Sequence, residues 1–537
     1  MFKETKFYTF VDNGTRWTVS KGCGQLLEDR VLRRLGESLS SERCKVVKEN
    51  LYRTVYRHRP FRGNSPGIYV KRYVIKDWAN KVLARFNSSQ AHREWRTMLE
   101  MEKRGFSVPE PLAFGQRWQE TQVENYLITL EVMSAVPFSQ ATDMEKERLL
   151  KALAFLAARL QRNNIYYKDF QLGNLLVQRK GPEPRLILVD LHSARWPIIL
   201  SREQRFYMLA KLIDSFEPTF SLEDRDIFLK LYAQEDPFFK EEVSARTVKS
   251  LASQIRQTHL KSRTVRCLVD STSFAVEEER GWRLYFRREY TKEEVFEALK
   301  AEERASGVGG AVLKSAQKSD ITLVETSKGK VCVKRYKNFG ALDYVKGWLG
   351  HSRAKRAWVI GNGLVVRGIP TSAPMALVEG SRESFLITKA LADYPRIDYY
   401  ILERFKNPLD REGFLIKKKF INSFAQAIRS LHEKKTYHGD LKACNILVKE
   451  VSHGGWEYYY IDYDRVIFDK EVSFRRCVKN MAQLHTSIPW CITWADRMRF
   501  FKSYAQGTGL MSQEKEFLRD VLRESAKRIP VVMEPLE

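Results

Sequence analysis

No apolar run in this 537-residue sequence approaches the roughly eighteen residues needed to cross a bilayer. The first residues, Met1-Phe-Lys-Glu-Thr-Lys-Phe, lack the apolar stretch of a secretion signal. Together these absences point to a cytosolic chain, free or peripheral to a membrane. Cysteine is also sparse. Cys23, Cys44, Cys267, Cys332, Cys444, Cys477 and Cys491 form no C-x-x-C pair and no Cys/His ligand spacing. A disulfide framework and a zinc site give way to buried free thiols in a reducing compartment. No Gly/Ser-rich or Pro-rich linker divides the chain, so its parts are expected to pack closely. Acidic residues are in deficit, 66 against 92 basic, which leaves a net charge of +26. Such a surface attracts polyanions or an anionic bilayer without identifying either.

What is present is ordinary globular composition, 43% apolar and 29% charged, in a chain longer than one hydrophobic core usually serves. Two stretches repeat one pattern: Tyr167-Lys-Asp169-Phe-Gln-Leu-Gly-Asn174 and His438-Gly-Asp440-Leu-Lys442-Ala-Cys-Asn445. Each leads to a hydrophobic run closed by an aspartate, Leu186-Ile-Leu-Val-Asp190 and Tyr458-Tyr-Tyr-Ile-Asp462. An Asp, an Asn five residues on and a later Asp supply one proton acceptor and two hard oxygen ligands, the layout of kinase-type phosphoryl transfer.

The repeat extends upstream. A shift of 263 positions lays Tyr69-Val-Lys71-Arg-Tyr73 over Cys332-Val-Lys334-Arg-Tyr336, and Ala91-His-Arg-Glu94-Trp95 over Ala354-Lys-Arg-Ala357-Trp358. A duplicated fold is the economical explanation. In the first copy Val46–Arg57, Ile68–Tyr73 and Tyr126–Met133 read as strands. Gln90–Arg104 and Asp143–Asn164 read as helices, the second delivering the chain into the Tyr167 loop. Lys417–Lys434 does the same before His438, and helical segments follow Asp190 over 202–216, 222–233 and 241–261. The expected fold class is α+β: two tandem protein-kinase-like modules, each a mainly β N-terminal lobe followed by a mainly α C-terminal lobe. The basic stretch Lys261–Arg266 sets their border, giving domains 1–264 and 265–537.

In this layout Lys71 neutralises the α and β phosphates of ATP and is held by Glu94. Asn174 and Asp190 hold Mg²⁺, and Asp169 receives the acceptor proton. In the second copy Lys334, Asn445, Asp462 and Asp440 take these places, and Lys442 faces the transferring phosphate. The copies differ. Ala357 stands where Glu94 is, so Lys334 is expected to lack its carboxylate partner, while Tyr167 and Gln171 stand where the second copy has His438 and Lys442. Neither candidate hairpin, Val47–Thr54 or Leu313–Asp320, contains glycine, and their Lys and Arg side chains can replace amide contacts to phosphate. The Gly307-Val-Gly309-Gly310 cluster reads as a flexible turn. His192 and His438 read as loop-stiffening residues.

With these residues in hand, the chain resembles the bacterial lipopolysaccharide kinase family, which phosphorylates Kdo and heptose of the inner core. The resemblance rests on Ala91-His-Arg-Glu-Trp95 running into Arg104-Gly-Phe-Ser-Val-Pro, Ser352–Trp358 running into Arg367-Gly-Ile-Pro-Thr, and His438-Gly-Asp440-Leu. Val189-Asp190-Leu-His192 and Ile461-Asp462-Tyr-Asp464-Arg465 carry it further. It implies ATP- and Mg²⁺-dependent transfer to a sugar hydroxyl of an anionic glycolipid such as the lipopolysaccharide inner core. The place implied is the inner face of the cytoplasmic membrane, with peripheral association and no nucleic acid partner. Residue by residue, the motifs also permit a kinase acting on protein or a soluble metabolite, or a non-catalytic module in one or both copies that binds nucleotide or glycolipid.

Overall fold

The computed structural model describes residues 7–21, 27, 31–50, 52–59, 66–75, 89–141, 145–179, 183–217, 219–237, 239, 241–308, 312–316, 319–337, 352–380, 383–452, 454–468 and 471–528. The side chains of 241, 307–308 and 312–316 are not described, and Cys23, Asp143 and the Gly309-Gly310 pair lie outside the described residues. The chain divides into two compact units, Met1–Arg256 and Gln257–Glu537, within the helix Glu241–Val265. The end of that helix belongs with the second unit, where Thr264 Oγ1 accepts a 2.9 Å bond from Arg367.

Each unit begins with a seven-stranded antiparallel sheet. In the first the strands are β1 (Phe7–Asp12), β2 (Thr15–Ser20), β3 (Cys44–Asn50), β4 (Arg53–His58), β5 (Ile68–Ile75), β6 (Pro111–Trp118) and β7 (Val123–Leu130). Their order is β1-β2-β6-β7-β5-β4-β3. The second unit has β8 (Phe274–Glu279), β9 (Trp282–Arg287), β10 (Val312–Ala316), β11 (Ser319–Thr326), β12 (Gly329–Lys337), β13 (Pro374–Glu379) and β14 (Glu383–Lys389). Its order, β8-β9-β13-β14-β12-β11-β10, is the same topology.

The repeat therefore starts earlier than the motif overlap indicates. Each sheet opens with a two-residue hairpin whose turn residues, Asn13-Gly14 and Arg280-Gly281, all have positive φ, the geometry that matches strand twist. Trp17 then covers Gly115 and Trp282 covers Gly380, and a β-carbon on either glycine would run into the ring. The Val46–Arg57 segment is two strands, β3 and β4, turned at Asn50, whose Oδ1 accepts from the amides of Tyr52 and Arg53 at 3.0 and 2.8 Å.

Four helices frame the sites: α1 (Gln90–Lys103), α2 (Lys146–Arg162), α3 (Arg353–Val366) and α4 (Arg411–Glu433). α1 and α3 start alike. The hydroxyls of Ser89 and Ser352 accept from the amides of His92 and Lys355. α2 buries Leu149, Leu150, Leu153, Leu156 and Leu160 on one face, and α4 buries Phe420, Ile421, Phe424, Ile428 and Leu431. Burial of each such side chain is worth about 1.5–3 kcal/mol, which is how these helices fix the loops that follow them. After α2, Tyr166–Tyr167 pairs with Ala194–Arg195; after α4, Thr436–His438 pairs with Val466–Phe468. Each short pairing clamps a loop carrying the Asp-x4-Asn motif to one carrying the later Asp. The mainly β part followed by a mainly α part is the kinase-like arrangement, present twice.

Cys267, Cys477 and Cys491 are buried free thiols, and Cys44, Cys332 and Cys444 are partly buried and free. Among the described residues no helix is long and apolar enough to cross a membrane.

Candidate active sites

The first unit brings its sequence-expected residues together. Lys71 on β5 reaches Glu94 on α1, Nζ to Oε1 2.5 Å, and the Tyr73 hydroxyl donates to the other oxygen at 2.7 Å. Glu94 is fully buried, so both donors are needed to offset its desolvation. Lys71 Nζ also lies 3.8 Å from Asp190 Oδ1. Asn174 Nδ2 donates to the Asp169 carbonyl at 2.9 Å and so closes the catalytic-type loop on itself.

Asp190 sits in the left-handed region at φ 62°, which turns its carboxylate back toward the sheet. There Arg53 of β4 takes both of its oxygens, at 3.0 and 3.1 Å, and His192 Nδ1 lies 3.1 Å from Oδ1. Burial pushes the Asp190 carboxyl up, but the His192 bond and the charges of Lys71 and Arg53 outweigh it and hold the group well below the usual carboxylate range. Glu94, Asp190 and His192 offer ligand atoms within 4.8 Å of one another. A cation there would share the space with the Lys71 ammonium, which Glu94 and Asp190 flank.

The second unit repeats this frame with other occupants. Lys334 on β12 pairs with Lys71 by position, and Ala357 on α3 is buried where Glu94 would be. The expectation that Lys334 lacks a carboxylate is nevertheless overturned. Asp464, two residues after Asp462, accepts from Lys334 Nζ at 2.9 Å and from the Tyr336 hydroxyl at 3.2 Å. Lys334 also reaches Asp462 Oδ1 at 3.2 Å. Burial works against the Lys334 charge, but Asp464 and then Asp462 more than compensate and raise its pKa. Asp462, at φ 55°, repeats the backbone of Asp190.

The loops are braced by different residues doing equivalent work. Tyr167 donates to the carbonyl of Val189 at 2.7 Å, and His438 Nε2 lies 3.2 Å from the carbonyl of Ile461, each just before the later Asp. The tyrosine replaces the histidine. Gly439 is required in the second loop, because a β-carbon there would come within 2.6 Å of the Arg465 carbonyl. In the first loop Lys168 stands at this position, and Ser193, in the place of Arg465, accepts from the Asp169 amide through its hydroxyl at 3.2 Å. Asn445 Nδ2 donates to the Asp440 carbonyl at 2.9 Å and reaches Asp440 Oδ2 at 3.3 Å, while Lys442 Nζ lies 3.2 Å from Asp440 Oδ1.

Asp440, Lys442, Asp462, Asp464 and Lys334 line one cleft of about 630 Å³, with Ser319, Ile321, Arg353, Arg356 and Arg465 completing its wall. By strand register Ser319 faces Tyr336 as Arg53 faces Tyr73. At the register position of Arg53 the second site therefore carries a serine. Asp462 is 39% exposed where Asp190 is 21%. Carboxylate and amide oxygens beside phosphate-seeking cations can hold a hard divalent ion and a polyphosphate. Arg53, Asp464, Arg353, Arg356 and Arg465 were not named as site residues from sequence. The Asp-Tyr-Asp-Arg run after the apolar strand was the available signal for two of them.

The sequence model of one protein family, the lipopolysaccharide kinase (Kdo/WaaP) family, matches residues 37–232 and again 311–504. The chain belongs to this family. Its family segment occurs twice, as a tandem duplication. Among solved structures the chain is similar to WaaP in complex with acyl carrier protein, at 20% identity over 44% of this chain and 99% of that one, with a TM-score of 0.33. No curated protein matches it.

Proposed function

We propose that this family member is an ATP- and Mg²⁺-dependent phosphotransferase that phosphorylates a sugar hydroxyl, of Kdo or heptose, in the lipopolysaccharide core, and that its second module performs the transfer. The observation that carries this reading is the convergence of Lys334, Asp440, Lys442 and Asp462 on one cleft. Asp440 is positioned by Asn445 and Lys442 to orient the acceptor hydroxyl and take its proton. Lys334 and Lys442 hold the phosphates of the nucleotide, and Asn445 and Asp462 supply hard oxygens suited to Mg²⁺. The nucleotide and its metal supply the activated phosphoryl group and charge neutralisation; the protein's part is positioning and electrostatics.

Lys71, Glu94, Asp169, Asn174 and Asp190 give the first module the same ground plan. The Arg53 clasp on Asp190 favours reading this module as one that binds nucleotide or glycolipid with little turnover. The +26 charge suits an anionic glycolipid partner and peripheral attachment at the inner face of the cytoplasmic membrane. Purified chain incubated with labelled ATP, Mg²⁺ and core lipopolysaccharide should label the glycan, and Asp440→Ala should abolish the labelling. Labelling of added protein or of soluble metabolites instead would replace this substrate assignment.

A further inference from the structure

Among the described residues the lysine of the second site is held by a carboxylate, and that carboxylate comes from the loop after the apolar strand, where its counterpart comes from a helix. We propose that Asp464 is the positioning residue for Lys334, performing from the metal-binding loop the task that Glu94 performs for Lys71 from helix α1. The proposal rests on the reading of the second cleft as a nucleotide site.

The same two donors, a strand lysine and a strand tyrosine, hold the carboxylate in both units. Glu94 gives one oxygen to Lys71 and the other to Tyr73. Asp464 gives Oδ2 to Lys334 at 2.9 Å, and the Tyr336 hydroxyl lies 3.2 and 3.3 Å from its two oxygens. Lys334 and Tyr336 occupy the same places on β12 as Lys71 and Tyr73 on β5, as the strand registers require. Only the source of the carboxylate has moved.

Packing accounts for the move. Helix α3 is small where α1 is large: Ala357 and Gly361 stand in the places of Glu94 and Met98. The loop is larger where the helix is smaller. Tyr463 follows Asp462 where Leu191 follows Asp190, and a β-carbon on Gly361 would come within 2.8 Å of the Tyr463 hydroxyl. The thin face of α3 lets this turn press close, and Asp464 enters the space that a helix carboxylate would otherwise fill. Position 192 in the first unit carries a histidine, which braces Asp190 and leaves the lysine to Glu94.

Asp464 is a lysine partner in this arrangement, with both of its oxygens engaged by donors of the lysine's own strand. One turn, Asp462–Arg465, then holds both the expected metal ligand and the phosphate anchor. A shift of α3 would not uncouple Lys334, whereas a shift of α1 would uncouple Lys71.

The test is hydrogen–deuterium exchange of the full-length chain titrated with a non-hydrolysable ATP analogue, with and without Mg²⁺. Peptides covering Gly329–Lys337 report the second site, and Ile68–Ile75 serves as internal reference. Asp464→Ala should raise the analogue concentration for half-protection of Gly329–Lys337 about tenfold or more, equally in both conditions, and leave the reference midpoint unchanged. Adding Ala357→Glu to Asp464→Ala, which supplies the carboxylate from the helix into the vacated space, should bring the midpoint back to within about threefold of the unsubstituted protein. Asp464→Asn, which keeps the side-chain volume, should behave as Asp464→Ala does without altering the exchange of the free protein. An unchanged midpoint, a loss seen only with Mg²⁺, or no recovery on adding Ala357→Glu would overturn the assignment. Absence of any protection at Gly329–Lys337 in the unsubstituted chain would overturn the nucleotide-site reading itself.

Discussion

Laid over one another by the register of their sheets, the two sites keep the same lysine, tyrosine, aspartates and asparagine and exchange almost everything around them. The first surrounds this frame with Arg53, Glu94, Gln171 and His192; the second has Ser319, Ala357, Lys442 and Asp464 in those places. In the first unit Asp190 is clasped by arginine and its lysine is tied to a helix. In the second Asp462 is more exposed and its lysine is tied to the neighbouring loop. A recognisable kinase-type motif therefore fixes where charges converge, while the residues beside it decide how open that convergence is to a metal ion and a polyphosphate. Duplication allows the two copies to carry different residues at these places.

The sharpest way to break this comparison is to exchange the loop cation. Lys442→Gln, which copies the first loop, should lower kcat for phosphate transfer by about 10² to 10³, the usual cost of removing one preorganised charge-stabilising donor. Gln171→Lys, the reverse change, should leave the rate of the whole chain within about twofold. Equal effects in steady-state assays would mean that the sites are not functionally distinct.

A second difference concerns acid. His432 on α4 is buried, bonded to Tyr504 at 2.7 Å and Asn480 at 3.0 Å, and burial lowers its pKa to about 4. In the first unit Gln161 bonds Tyr232 in the corresponding place. A histidine neutral in the fold contributes stability that is complete above the ordinary value of 6.5 and is lost as pH falls toward 4, because the unfolded chain takes up the proton first. Buried His438, also lowered by desolvation, acts in the same sense. The second unit should lose roughly 3 kcal/mol through His432 between those limits. His432→Gln should flatten this decline, followed by site-resolved hydrogen exchange or by two-transition calorimetry across pH.

The smallest of these effects is at the clasp. Arg53→Ser, copying Ser319, should strengthen binding of a manganese–nucleotide complex at the first site by up to about tenfold, since a charge-assisted pair no longer has to open. Titration monitored by exchange of Ile68–Ile75 would reveal it. No gain would show that the clasp is not what separates the sites.

Much of this frame is legible in the sequence. The Asp-x4-Asn loops, the strand lysines and the long helices before the loops are local patterns, set by turn chemistry and by a 3.6-residue apolar period, and both copies carry them. What stayed hidden depends on approach between distant segments. Lys334 and Asp464 meet only because Ala357 and Gly361 thin one helix face, and nothing in a linear reading ties those small residues to a loop so far along the chain. The absence of a helix glutamate therefore reads as a missing partner. Arg53 lies in a hairpin noted for its basic side chains, yet its grip on Asp190 needs the left-handed backbone at that aspartate. The opening hairpins were missed although Asn13-Gly14 is a strong turn signal, because their strands are short and the motif overlap begins after them.

The most direct test of the account compares Asp440→Ala with Asp169→Ala in the full-length chain, by transfer of labelled phosphate from ATP to core lipopolysaccharide. The account predicts that Asp440→Ala lowers transfer by about 10³ or more while Asp169→Ala leaves it within about threefold. Loss of transfer on Asp169→Ala with retention on Asp440→Ala would contradict it.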